Sequence, residues 1–278
     1  MSGTKRQGPD PGTTDRAFLF LDQIGSFPYN IHEMLFNILI ATILGSILSL
    51  IGGAVLLWKE ALAKKFSLSL VSFAVGGLLG AAFLELLPEA FHELPYTAVA
   101  PFVIFGIFFL FLFEKIFHRY HAHDERADGS PVFVQSILIA DSLHNFIDGI
   151  TIALSFSVST GLGIATTIAV FFHEIPQEIG DFGVMIHAGY PKAKVFLYNF
   201  LSGAIAILGA LIGYFFLPIL LPYLGYFLAF IVGTFLYIAI SDLLPELKHE
   251  HEGSELLHLL GIALGVFAIW GISSIFPG

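Results

Sequence analysis

Two short stretches hold the residues whose types and spacing can do chemistry: DSLHNFIDG at 141–149 and HEIPQEIGD at 173–181. In the first, Asp141, His144, Asn145 and Asp148 fall at i, i+3, i+4 and i+7, one stripe of a 3.6-residue helix. In the second, His173 and Gln177 form an i,i+4 pair, with Glu174, Glu178 and Asp181 as a second line beside it. Together they offer imidazole nitrogens, carboxylates and amide oxygens. That mixture suits zinc, with iron, manganese, cobalt or cadmium as alternatives, better than the all-oxygen chemistry of magnesium or calcium. Two imidazoles favour zinc among these.

The setting sharpens the reading. Both stretches lie near the centres of long apolar runs, where an ionisable group costs roughly 2.5–3.5 kcal/mol on insertion scales. No Lys or Arg stands at the same depth, so a stack of carboxylates there calls for a cation. Pro176 cannot donate to the Phe172 carbonyl, which predicts an opened helix beside His173 with room for an ion.

These runs belong to a chain of 278 residues, 56% apolar and 12% charged, with a mean hydropathy of +0.84. Soluble domains carry about 25% charged residues, so this composition cannot cover a water-facing surface. Cysteine is absent, which excludes disulfides, thiolate zinc sites and thiol catalysis. The formal charge of −10 excludes nucleic acid as a partner.

A helix needs about 20 apolar residues to cross a bilayer. Eight runs qualify: 34–57, 68–87, 97–117, 132–155, 162–185, 193–217, 223–244 and 255–275. Pro218 and Pro222 leave space for only a tight turn between the sixth and seventh. Residues 1–30 read as a flexible arm. The rest, 31–278, reads as one transport domain: three spans at 34–117, a His-rich loop at 118–131, a central pair at 132–185 and three more at 193–275. Lys59, Lys64, Lys65, Lys115, Arg119, Arg126, Lys192, Lys194 and Lys248 lie on one side; only Lys5, Arg6 and Arg16 lie on the other. The positive-inside rule then puts both termini outside.

An internal repeat accompanies this topology. VGGLLGAAFLELLPEAFHE (75–93) returns 157 positions later as VGTFLYIAISDLLPELKHE (232–250), sharing the Pro-Glu and His-Glu pairs without a gap. The second span runs outward and the seventh inward, so the expected architecture is an all-α polytopic membrane protein of eight spans in a 3+2+3 inverted-repeat arrangement. Such repeats supply two near-equivalent packings, one open to each side. Glu85 matches Asp242 and Glu89 matches Glu246. Glu85 and Glu89 fall toward the outer face, Asp242 and Glu246 toward the inner, as access and exit ligands. Ser202 offers one more oxygen to the core. His118, His121, His123, Asp124, Glu125 and Asp128 form a His- and acid-rich cytosolic loop, echoed by His249, Glu250, His251 and Glu252.

At HNFIDG and HEIPQEIGD the sequence resembles the ZIP family of zinc- and iron-regulated transporters, above all its LIV-1-like branch, which shows HNxxD in the fourth span and HExPHExGD in the fifth. The likeness covers essentially the whole chain. It implies that His144, Asp148, His173 and Gln177 match the ligands of one metal position, and Asn145, Asp148, Glu174 and Gln177 those of its neighbour. Glu178 and Asp181 match the motif's Glu and Asp. Glu85 falls where many members have the His of an HLLP segment, and Asp242 aligns with a residue of the transport path. The departure is Gln177, where the branch usually has His and some bacterial members Glu. The implied activity is uptake of divalent transition-metal cations, chiefly zinc, into the cytosol across the plasma or bacterial inner membrane. The expected partners are these ions and the bilayer, with a homodimer left open and no enzyme cofactor. The alternative is an intramembrane zinc hydrolase, because His173-Glu174 begins the HExxH pattern. Gln177 stands where its second His belongs.

Overall fold

The computed structural model describes residues 31–58, 60–119, 131–247 and 255–276. The arm at 1–30, most of the loop at 118–131 and the acidic His motif at 249–252 lie outside them. Every long element is a helix. In chain order these are α1 (Ile31–Thr42), α2 (Ile51–Trp58), α3 (Glu60–Gly80), α4 (Leu87–Glu93), α5 (Tyr96–Arg119), α6 (Pro131–Val158), α7 (Thr160–His187), α8 (Lys192–Phe215), α9 (Leu217–Leu220), α10 (Leu224–Tyr237), α11 (Leu244–Glu246) and α12 (Glu255–Ile275).

Among the described residues, seven helical stretches are long and apolar enough to cross a membrane: His32–Val55, Ser69–Glu93, Tyr96–Phe113, Ile137–Val158, Lys192–Phe215, Leu217–Glu246 and Glu255–Ile272. The remaining long helix, α7, has 28 residues, ample for a crossing of about 30 Å at 1.5 Å per residue. It differs because its second half is the HEIPQEIGD run. Large apolar side chains lie on the outside of the bundle, among them Phe102, Phe105, Phe108, Leu256, Leu257, Phe267 and Trp270. An exposed apolar shell of this size belongs against lipid.

Lipid tails are as apolar as Leu, so helices in a bilayer associate through close packing at small residues and through polar contacts. Two crossings illustrate it. A Cβ on Gly76 would come within 2.0 Å of the Ile262 carbonyl oxygen, and one on Gly265 within 2.3 Å of that of Phe73, which fixes α3 against α12. The same reciprocal arrangement joins α5 to α10, where a Cβ on Gly106 would come within 2.2 Å of the Phe230 carbonyl oxygen and one on Gly233 within 2.1 Å of that of Val103. Gly76 and Gly233 are matched glycines of the 157-residue repeat, and Phe73 and Phe230, just before it, stand at the same 157-residue offset. A third crossing joins α6 to α8 through Gly149 against Ala206 and Gly209 against Phe146.

Three membrane helices change winding part-way. A π-helical turn spans Ile43–Ile47, followed by a 3₁₀ turn Leu48–Leu50. Two more π turns span Ala81–Leu86 and Ile238–Leu243, again 157 residues apart. Each ends one residue before a Leu-Pro pair, and the leucine reaches five residues back: Leu87 N–H to the Ala82 carbonyl, Leu244 N–H to that of Ala239. Pro88 and Pro245 have no N–H to continue the α ladder, and the wider turn accommodates them.

One expectation about helix breaks changes. Between the sixth and seventh apolar runs the chain forms the short helix α9 and a 3₁₀ turn at Leu221–Tyr223, because proline fits the first turn of a helix, where its missing N–H is not needed. Pro176, expected to open the helix beside His173, lies inside α7.

Candidate metal centre

A one-residue connection positions the site. Ser159 alone separates α6 from α7, with extended backbone (φ −156°, ψ 157°), and its Oγ accepts the Leu162 N–H at 3.0 Å as an N-cap. Ser155 and Thr166 bond across the hairpin at 3.0 Å. Gly163 leaves the Phe156 ring room that a Cβ would take. The two helices therefore run back along each other from a fixed origin. His144 lies fourteen residues before Val158 and His173 thirteen after Thr160, so each sits about 20 Å from the turn. Equal depth follows from the hairpin itself.

At that depth the histidines meet. His144 Nε2 is 3.1 Å from His173 Nε2. Asp148 Oδ2 lies 3.5 Å from His144 Nε2 and 3.2 Å from His173 Nε2. Glu174 Oε1 lies 3.5 and 3.7 Å from the same two nitrogens. Four ligands placed about 2.1 Å from a tetrahedral zinc stand about 3.4 Å from one another. Five of the six edges here fall between 3.1 and 3.7 Å. His173 Nδ1 lies 3.0 Å from the Ala169 carbonyl, which can only accept, so the ring proton is on Nδ1 and the Nε2 lone pair faces the cluster.

A polar layer continues from this cluster. Asp141 Oδ1 accepts from Asn145 Nδ2 at 3.1 Å and from Gln177 Nε2 at 2.9 Å. Buried oxygens without a hydrogen-bond donor include Glu174 Oε2, both oxygens of Glu178, Asp141 Oδ2, Asp181 Oδ2 and Asn145 Oδ1. Among the described residues no Lys or Arg pairs with any of these carboxylates. Sequestered oxygens of this density are costly unless a cation, protons or water share them.

A cavity of about 570 Å³ reaches the site from one end of the bundle, lined by Asp141, His144, His173, Gln177, Asp181, Asp242 and Glu246 among others. Asp242 and Glu246 thus line one cavity with the two histidines; Glu85 and Glu89 do not. Glu85 lies in the π turn Ala81–Leu86, and Glu89 clusters with His92 and Glu93 at the exposed end of α4. Ser202 is buried with its Oγ 2.8 Å from Ser142 Oγ. Spacing along the chain points to the His/Asp stripe as the hub. Asp141, which holds two amides at once, emerges only when the two helices are placed together.

The hydrolase alternative finds no support. The imidazole that meets His173 is His144, from α6, and the position that HExxH reserves for a second His is an amide engaged by Asp141.

An all-helical bundle with lipid-facing apolar sides and a buried His/carboxylate cluster that could hold a metal ion defines a multi-pass membrane protein. The chain belongs to the ZIP zinc transporter family, which matches residues 33–131 and 119–273. It falls with the LIV-1-like branch. It is 36% identical over 140 residues to zinc transporter ZIP10 of Danio rerio, covering 49% of this chain and 16% of that protein. To zinc transporter ZIP13 of Pongo abelii it is 36% identical over 208 residues, covering 66% and 59%. To the metal cation symporter ZIP14 of Xenopus tropicalis it is 30% identical over an alignment of 319 residues, covering 84% and 68%. The chain thus spans between about a sixth and two thirds of the length of these curated relatives.

Proposed function

We propose that the protein carries divalent transition-metal ions, chiefly zinc, into the cytosol, with His144, Asp148, His173 and Glu174 as the central ligand set. One observation carries this reading: two nitrogens and two oxygens from consecutive helices, spaced as the edges of a zinc tetrahedron. A catalytic zinc keeps an open position for water and substrate, whereas a carried ion needs donors that it can exchange one by one. Asn145, Gln177, Glu178 and Asp181 supply further oxygens next to the cluster. Asp242 and Glu246 line the way out, and Glu85 and Glu89 serve the opposite approach. Ser202 supports α6 through Ser142 and offers one more oxygen beside the core.

Alternating access rests on eight spans in a 3+2+3 inverted arrangement with both termini outside. Its supports are the 157-residue repeat, the matched glycine crossings at Gly76 and Gly233, and the matched π turns at 81–86 and 238–243. On the orientation that the Lys and Arg positions favour, the cavity lined by Asp242 and Glu246 opens inward. The test is radioactive zinc uptake into proteoliposomes of the purified full chain. His173→Ala and Asp148→Ala should reduce uptake to background while the variants remain folded by thermal melting. Unchanged uptake in both overturns the assignment, and competition by iron, manganese, cobalt and cadmium sets the selectivity.

A further inference from the structure

Asp141 lies one helical turn before His144, buried at 4% exposure, and touches neither histidine within hydrogen-bond range. Its place is behind the ligands. Its side chain accepts hydrogen bonds from two amides, one from each central helix, and both end on the same oxygen, Oδ1. Oδ2 has no donor. A proton on Oδ2 would leave the Oδ1 contacts as they are, so Oδ1 acts as an acceptor in either state.

The consequence falls on the amides. Asn and Gln present a nitrogen that can only donate and an oxygen that can only accept, and only the oxygen can bind a cation. An acceptor that holds Nδ2 of Asn145 and Nε2 of Gln177 turns the two amide oxygens away from itself. The Asn145 orientation is secured twice, because Nδ2 also donates to the Asp141 backbone carbonyl at 3.2 Å. Its Oδ1 is left buried without a donor. Gln177 has no such second hold: its side chain is fixed through the Asp141 carboxylate, and the residue lines the cavity beside both histidines.

We propose that Asp141 is a positioning residue that makes Gln177 an oxygen ligand for the carried ion, by holding its NH₂ group and leaving Oε1 for the cation. This rests on the metal-transport reading above and names what makes an amide serviceable where a neutral side chain would otherwise present either end. Asp141→Asn is the informative variant. It preserves size, but the new amide can donate to Gln177 Oε1 and so allow Gln177 to reverse, aiming NH₂ at the ion.

The test is zinc titration by calorimetry on the purified full chain, with thermal melting and zinc X-ray absorption on the same samples. Loss of a residue that orients a metal ligand costs about 10–100-fold in affinity. Asp141→Asn is therefore expected to weaken zinc by about tenfold or more, with a reduced count of light-atom neighbours around zinc and little change in melting of the metal-free protein. The double variant Asp141→Asn with Gln177→Glu restores a carboxylate–amide pair with the roles exchanged. Either oxygen of the relocated carboxylate can meet the ion, so this variant should regain most of the affinity. If the double variant binds no better than Asp141→Asn, the loss is structural and the proposal fails. Wild-type affinity in Asp141→Asn overturns it equally. If the unmodified protein binds no zinc, it is the transport reading that fails.

Discussion

His144 Nε2 and His173 Nε2 stand 3.1 Å apart, with Asp148 Oδ2 within 3.5 Å of both. Two bare lone pairs at that separation repel. The Ala169 carbonyl holds the His173 proton on Nδ1, so the proton between the rings belongs to His144. A zinc ion bound by both nitrogens displaces that proton from Nε2, to His144 Nδ1 where the ring is neutral and to solvent where it is charged.

Zinc affinity should therefore fall as the pH is lowered from about 7.5 to about 6, because protons and metal compete for the same nitrogens. The sign is fixed: binding releases protons, so acid opposes it. Calorimetry in two buffers of different ionisation enthalpy should count more protons released per zinc at about pH 6 than at about pH 7.5. Equal affinity at both pH values, with no dependence on buffer, would remove histidine from the ligand set.

The buried oxygens of Glu174, Glu178 and Asp181 make the metal-free protein less stable than its packing alone would. Zinc at a hundredfold excess over its dissociation constant should add about 2.7 kcal/mol by mass action, visible as a higher melting temperature that a chelator reverses. Glu178→Gln should raise the melting temperature of the metal-free protein, because a neutral amide is cheaper to bury and can donate to a neighbouring carboxylate. A lower melting temperature in that variant would mean that Glu178 already has a cation or donor.

The chain displays some of this architecture openly and conceals the rest. Eight apolar runs were legible because bilayer thickness imposes a length and an average hydropathy, and even α7 shows its length despite its acids. The pairing of DSLHNFIDG with HEIPQEIGD was legible because a short connection makes neighbours of consecutive helices, with His144 and His173 at similar distances from it. What did not show was which donor meets which. His144 and His173 pair with Asp148 and Glu174, while Gln177 turns to Asp141, and that choice depends on side-chain rotation at the helix interface. The π turns were also hidden, since a run such as AAFLELLP is compatible with an ordinary helix up to the proline. One signal was available: Gly76 and Gly233 already coincide in the repeat, and glycine in a membrane helix marks a close crossing.

Those crossings give a sharp stability test. A methyl group on Gly76 would meet the Ile262 carbonyl at 2.0 Å, and one on Gly233 that of Val103 at 2.1 Å. Backbone cannot yield as a side chain can, so the helices must separate. Gly76→Ala and Gly233→Ala should each cost about 1–3 kcal/mol, as overpacking does, and lower the melting temperature. Gly271, with nothing within 4 Å of its added Cβ, is the control. Gly271→Ala should be neutral or slightly stabilising, since Ala is the better helix former. Similar melting temperatures for all three variants would contradict the close approach.

The matched π turns place Glu85 and Asp242 at equivalent points of the repeat, but only Asp242 lines the cavity that reaches the histidines. If the two carboxylates serve opposite ends of one route, their neutral variants should differ in kinetics while sharing an intact core. Glu85→Gln removes a charge from the approach and should raise KM for zinc uptake with little change in maximal rate. Asp242→Asn acts after the ion has been committed and should lower the maximal rate. Both should bind zinc within about threefold of the unmodified protein, because neither belongs to the His144–Asp148–His173–Glu174 cluster, whereas His173→Ala should lose binding altogether. Proteoliposome uptake over a range of zinc concentrations, with calorimetry alongside, separates the cases. An identical kinetic defect in the two variants would show that they act on one step. A loss of affinity as large as that of His173→Ala would place the altered carboxylate inside the binding site.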